Sequence, residues 1–223
     1  MKQRKALLQR IAAVITNKMN GATLRVAVDG ADGAGKSTFA DELWRMLRAD
    51  EIRVIRASVD GFHNPEVVRY RRGRYSPEGF YYDSYDYEAL KTLLLEPLAP
   101  SGSGIYVTAA FNHGMDRPVV VSPRKASRGD VLLFDGIFLQ RPELSGYWDF
   151  SIYLDIRSDT SVSRLQQRDG GPGTSDHPLN RRYRDGQVIY RQRCHPMEKA
   201  HIIVDNNEPT RPFIIKWNQG SLN

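Results

Sequence analysis

Gly30-Ala31-Asp32-Gly33-Ala34-Gly35-Lys36-Ser37, followed by Thr38, fits the spacing G-x-x-x-x-G-K-[ST]. Its context decides what that spacing means. Upstream, Leu24-Arg25-Val26-Ala27-Val28 is a short β-type run. Downstream, Phe39, Leu43 and Leu47, with Ala40 and Trp44 beside them, recur at the period of an amphipathic helix. Strand, glycine-rich turn and helix, in that order, are what a phosphate cradle requires. Glycines let backbone N–H groups point inward at phosphate oxygens, and the helix N-terminus adds roughly half a positive charge. Lys36 then reaches the β- and γ-phosphates, and the Ser37 hydroxyl ligates Mg²⁺. The alternative is an ordinary glycine turn, against which the flanking strand and helix argue.

Outward from this stretch, β-type runs alternate with helical ones. Residues 52–58 read as a second strand leading to Asp60, residues 86–95 as a helix stopped by Pro97, and residues 100–104 as a loop. Residues 105–109 and 119–121 are two short β candidates around a turn at Gly114, a small inserted hairpin. Unbroken apolar runs at 131–134 and 150–156 read as buried strands. Residues 169–180 lack apolar periodicity and read as a lid loop. A helix near 181–193 and a strand at 201–204 follow. The pattern predicts an α/β fold, a mostly parallel sheet with helices on both faces. The expected organisation is an N-terminal helix over 1–20, a nucleotide-binding domain over 21–208 with a lid at about 164–184, and a C-terminal tail over 209–223.

The 223 residues are 40% hydrophobic and 26% charged, enough for a packed core and against disorder. No apolar run has the roughly 18–20 residues that span a bilayer, so a soluble chain is expected. Cys194 is the sole cysteine and can form no internal disulfide, which fits a reducing, cytoplasmic setting. The basic N-terminal stretch lacks the cleavage site of a secretory signal. Leu7, Leu8, Ile11, Val14 and Ile15 at helical spacing read more simply as a packed helix than as a mitochondrial presequence. The net charge of +6 rests on 24 Arg and 8 Lys against 26 acids. The arginine excess suits anionic ligands, and an arginine-rich composition alone would give the same balance.

A phosphate cradle needs an acid near its metal. Asp135 ends the apolar run Val131-Leu132-Leu133-Phe134 and is assigned to Mg²⁺, the alternative being a turn or capping aspartate. Asp60 stands at the carboxyl end of the second strand, where it can take the proton of an attacking hydroxyl. A GTPase would carry a base-reading Asn-Lys-x-Asp, and none occurs. Transfer to a small alcohol is therefore favoured over hydrolysis. His63, His113, His177, His195 and His201 have no metal spacing, although His63 and His113 are candidates to face an acceptor. Arg69, Arg71, Arg72 and Arg74 alternate with Tyr70 and Tyr75, as in a stacking nucleic-acid patch or a solvated flap.

These residues resemble the P-loop kinase family of uridine kinase, phosphoribulokinase and pantothenate kinase, over most of 24–206, and the resemblance is nearest to uridine kinase-like proteins. It implies a three-layer P-loop NTPase fold with a five-stranded parallel core, ATP as donor and Mg²⁺. Asp60, in Ser58-Val59-Asp60-Gly61-Phe62, falls at the family's catalytic aspartate. Arg164 and Arg168 resemble lid arginines that contact the transferring phosphoryl group. Asp205 and Asn206 resemble the segment on the adenine side. Tyr82-Asp83-Ser84-Tyr85-Asp86 resembles the uridine kinase segment whose aspartate holds the ribose diol, which makes Asp83 a sugar contact; Asp83 and Asp86 equally suit a surface ion-pair cluster. Phe111 falls at the aromatic that reads the pyrimidine, and Asp116 where that family keeps a histidine. The segment Asp60-Gly61-Phe62-His63-Asn64-Pro65 is closer to pantothenate kinases. The expected acceptor is thus uridine or cytidine, with pantothenate or another alcohol as the alternative. An NTP-binding nucleic-acid-associated factor is the rival of another class, and a homo-oligomer stays open.

Overall fold

The computed structural model describes residues 2–170, 174 and 176–218. Six strands form one sheet: β1 (Leu24–Gly30), β2 (Val54–Ser58), β3 (Val131–Asp135), β4 (Phe150–Asp155), β5 (Ile202–Asp205) and β6 (Phe213–Trp217), in the order β6-β5-β4-β1-β3-β2. The first five run parallel, and β6 pairs antiparallel with β5 along the edge. The expected five-stranded parallel core is present, and the expected tail supplies a sixth strand. Phe213-Ile214-Ile215 is too short an apolar run to declare itself a strand, and pairing with β5 supplies what periodicity does not.

The main helices are α1 (Lys2–Lys18), α2 (Lys36–Ala49), α3 (Pro77–Asp83), α4 (Ser158–Asp169) and α5 (Pro178–Cys194). They cover both faces of the sheet. On one face Val26, Val28, Leu133 and Ile152 bury against Leu8, Ile11 and Ile15 of α1 and Phe39, Leu43 and Leu47 of α2. On the other, Ala27, Ala57, Phe134 and Tyr153 bury against Tyr81, Phe138 and Tyr190. Alternate residues of each strand thus enter opposite cores, and central β1 and β3 are buried at every position, as a parallel sheet covered on both sides demands. The N-terminal helix is an integral part of the first core. No helix among the described residues is long and apolar enough to cross a membrane.

The region between β2 and β3 holds the departures from expectation. Residues 105–106 pair with 124–125, and residues 111–112 with 117–118 around the turn at Gly114, so two minimal ladders replace one hairpin and residues 119–121 form no strand. The expected helix at 86–95 is a short α-turn capped by Asp86, whose side chain accepts from Ala89 N, continuing into a π-turn. The expected lid loop at 169–180 lies partly outside the described residues.

Candidate active site

β1 lies at the centre of the sheet with β3 on one side and β4 on the other, so the strand order reverses beside it, and the crevice at the carboxyl ends of these strands is where ligands bind in open α/β sheets. The loop leaving β1 turns through Gly33 (φ +72°) and Gly35 (φ +80°). A Cβ on Gly33 would stand 2.9 Å from the Ser161 carbonyl oxygen, and one on Gly35 would stand 3.1 Å from Asn206 Nδ2, so backbone sign and space both require glycine. Gly35 caps α2 without a side-chain hydrogen bond, which leaves the first amides of the helix for a ligand. Lys36 Nζ donates to Ala31 O at 2.8 Å, folding across the loop.

Val28 and Ser58 are both in register with Asp135, so the ends of β1, β2 and β3 converge. Ser37 Oγ donates to Asp135 Oδ2 at 2.6 Å. Asp135 Oδ1 lies 2.6 Å from Arg56 Nη1, but at an angle that leaves this buried oxygen without a hydrogen bond. A serine hydroxyl and a carboxylate whose buried Oδ1 has an ion-pair contact but no hydrogen bond, beside a phosphate loop, form a hard-oxygen donor set that suits Mg²⁺. Arg56 is in turn fixed by Asp41 of α2 at 3.0 Å.

One cavity of about 490 Å³ brings together Lys36, Ser37, Asp60, Asp135, His63 and His113. Asp32, Gly33 and Arg168 also line it. Asp60 sits in a 3₁₀ turn whose first residue packs in the core, with its amide held by Ser58 Oγ at 3.3 Å. His63 Nδ1 donates to Asp60 O at 3.0 Å, and its ring stacks on His113 and tilts against Tyr85, each at 4.5 Å. Burial holds the His63 imidazole below the ordinary histidine value. Burial likewise raises the Asp32 carboxyl, which accepts from Gln187 Nε2 at 3.3 Å.

Six expected contacts stand elsewhere. Arg164 is bound to backbone carbonyls, Gly33 at 3.1 Å and Asn206 and Asn207 at 2.9 Å each, tying α4 to the phosphate loop and to the segment after β5. Asn206 is buried, and its Nδ2 donates to Ala34 O at 2.7 Å; Asp205 accepts from Asn207. Asn206 is thus framework for the phosphate loop and Asp205 for the turn after β5, and neither lines this cavity. Asp83 is fully buried between Arg71 and Arg72, with Arg72 Nε at 2.8 Å from Oδ2. Burial would raise its pKa, but the hydrogen bonds from the two arginines outweigh that and hold it below the usual carboxylate range. The carboxylate–arginine cluster is the arrangement the structure shows. Asp116 accepts from Glu66 N at 2.8 Å and Arg69 Nη2 at 3.0 Å, and Phe111 is buried in the short ladder opposite Pro118. With Arg74 at 3.7 Å from Glu66, all four arginines of the 69–74 run face carboxylates, as in a folded flap.

Sequence reasoning missed two parts and placed a third only loosely. Asp29, fully buried, accepts from Gly30 N at 2.7 Å and from the Tyr190 hydroxyl, which itself accepts from Gln140 N at 2.8 Å. Burial pushes the Asp29 carboxyl up to about 6. An acid directly after the apolar run Val26-Ala27-Val28 was its visible signal. Arg56 was signalled by alternation with Ile55 and Ala57. Arg182 was legible only within the run Arg181, Arg182 and Arg184, which suits either the lid side or an exposed helix face.

This fold and loop define a P-loop nucleotide-binding protein. The family model of the phosphoribulokinase/uridine kinase family matches residues 26–204. The chain belongs to that family, a family of P-loop kinases. No curated protein sequence matches it significantly. Among solved structures it is similar to a possible uridine kinase from Bacillus stearothermophilus, at 24% identity over 91% of this chain and 99% of that one, with a TM-score of 0.70. It is also similar to a candidate fructose transport system kinase from Silicibacter sp. TM1040 (21% identity, 86% and 94% coverage, TM-score 0.62). A third is the D-glycerate 3-kinase from Cryptococcus neoformans var. grubii (14%, 96% and 97%, TM-score 0.51). At these identities the likeness concerns the fold.

Proposed function

We propose that the protein transfers the γ-phosphoryl group of ATP to a hydroxyl of a small metabolite. The observation that supports this most directly is the convergence of Lys36, the Ser37–Asp135 pair and Asp60 on one cavity. The loop amides and Lys36 bind the phosphates. Ser37 and Asp135 would hold Mg²⁺, which would supply charge neutralisation to the triphosphate. Asp60 orients the acceptor hydroxyl and takes its proton as the new oxygen–phosphorus bond forms and the bond to the ADP oxygen breaks. Arg168, on the cavity wall, adds positive charge where it spreads over the γ-phosphoryl oxygens.

Resemblance alone favours uridine or cytidine, with the nucleoside 5′-monophosphate as product. The cavity supports the other reading, pantothenate or a further non-nucleoside alcohol. Of the expected nucleoside contacts, Asp83, Phe111 and Asp116 are engaged off the wall, and only His113, with His63 beside it, reaches it. The paired state of the 69–74 arginines speaks for a small-molecule site over a nucleic-acid surface. Asp60→Asn is the test: Mg-ATP binding by calorimetry is retained while acceptor-dependent ADP formation falls at least about a hundredfold. Unaltered turnover refutes the role of Asp60.

A further inference from the structure

The wall of the cavity carries a cation without a counter-ion. Arg182, in the first turns of α5, is 4% exposed and lines the cavity beside Arg69. Its guanidinium lies 5.2 Å from the Tyr70 ring centre, 5.0 Å from Phe80 and 5.5 Å from Tyr183. Among the described residues no carboxylate pairs with it, and its Nε is buried without a hydrogen-bond partner. Arg69 Nε is buried and unpartnered as well, although Arg69 Nη2 reaches Asp116. Ring faces offset part of the desolvation of a guanidinium, but they accept few of its five N–H donors. A buried arginine ordinarily has an acid to receive them. Of the acids on the same wall, Asp135 is engaged by Ser37 and Arg56 and Asp32 by Gln187, and Asp60 forms no ion pair with Arg182.

We propose that the acceptor carries an anionic group, a carboxylate or a phosphate, beside its hydroxyl, and that Arg182 and Arg69 hold that group. This rests on the kinase reading and narrows it to a class of acceptor. The neutral aromatic surround of Tyr70, Phe80 and Tyr183 strengthens the guanidinium–anion contact by keeping water from it and fixes the fork of Arg182 in one orientation.

Two measurements test it. In protein saturated with Mg²⁺ and a non-hydrolysable ATP analogue, inorganic phosphate and acetate are titrated by calorimetry. One saturable anion site is expected, weakened at least tenfold in Arg182→Gln and in Arg69→Gln and partly restored in Arg182→Lys. Turnover is then compared within matched pairs that share a hydroxyl: glycerate and glycerol 3-phosphate against glycerol, ribose 5-phosphate against ribose, and pantothenate against its alcohol. The anionic member is expected to have the higher kcat/KM, the better anion tells carboxylate from phosphate, and Arg182→Gln collapses the preference by raising KM for that member alone. The proposal is overturned by the absence of an anion site in the analogue-saturated wild type, by anion affinity that neither substitution alters, or by uridine or another neutral alcohol outperforming every anionic acceptor. Failure of the ATP analogue itself to bind refutes the kinase reading instead.

Discussion

Asp29 offers a prediction whose size follows from its surroundings. Its carboxyl is fully buried at the end of β1, one residue before the phosphate loop, and burial lifts its pKa from 3.8 to about 6. The folded state therefore keeps this proton to higher pH than the unfolded chain does. Between about pH 4 and 6 the native protein binds more protons, so unfolding free energy falls as pH rises through that window and levels off above it. Multiplying the gap by the 1.36 kcal/mol that corresponds to one decade of proton affinity gives about 3 kcal/mol lost by pH 7. Asp29→Asn removes the titration and keeps the geometry: the amide oxygen accepts from Gly30 N, and the amide nitrogen donates to the Tyr190 hydroxyl, which has lone pairs for it and for Gln140 N. Urea unfolding of both proteins from pH 4 to 7 isolates the effect, because other carboxylates cancel in the difference. Stability of the variant relative to wild type is expected to rise by about 3 kcal/mol across the window. A difference that stays flat from pH 4 to 7 refutes the reasoning.

Gly33→Ala places a Cβ 2.9 Å from the Ser161 carbonyl at a φ of +72°, and a loss of about 1–3 kcal/mol in stability with weakened ATP affinity is expected, read by thermal melting and calorimetry. Asp135→Asn leaves Ser37 a partner but removes the charge that suits Mg²⁺; ATP affinity should lose most of its magnesium dependence, whereas ATP affinity without the metal should change little. Arg164→Met frees three carbonyls at the phosphate loop and after β5, so ATP affinity is expected to fall several-fold with kcat within a few-fold; a hundredfold fall in kcat at unchanged affinity would restore Arg164 to the phosphoryl group.

The parts of the molecule legible in the sequence are those set by local patterns. The phosphate loop declares itself because φ signs, amide direction and the start of α2 all reside in nine consecutive residues. Strands β3 and β4 are readable because burial on both faces forces unbroken apolar runs. Asp60 and Asp135 follow because strand ends in such a sheet converge whatever fills the loops between them. What escaped depends on contacts distant along the chain. β6 exists through β5, and Arg164 meets Gly33 across 131 residues. Arg71 and Arg72 close on Asp83 through a turn that no periodicity encodes. A carboxylate in a polar, aromatic segment reads the same on paper whether it faces a sugar or a guanidinium.

That division has a consequence for chemistry. On the proposed reading the donor half of the cavity is built from backbone amides, Lys36 and Ser37 on a single stretch, joined by Asp135 from β3, so most of its geometry is fixed by the β1–α2 turn. The acceptor half, on the same reading, is assembled from side chains of separate elements: Asp60 and His63 after β2, Arg69 and Tyr70 in the flap, His113 in the turn after Phe111–Asn112, and Arg182 and Tyr183 on α5. Asp83 lies behind this wall and clamps the flap by neutralising Arg71 and Arg72, while Asp116 holds Arg69 through Nη2 alone and leaves its Nε unpartnered. Asp83, which the resemblance makes a sugar contact, is thereby spent on arginines. Phosphoryl transfer would, on this proposed reading, need the first half unchanged, whereas the choice of alcohol would be set by how the second half balances its ions.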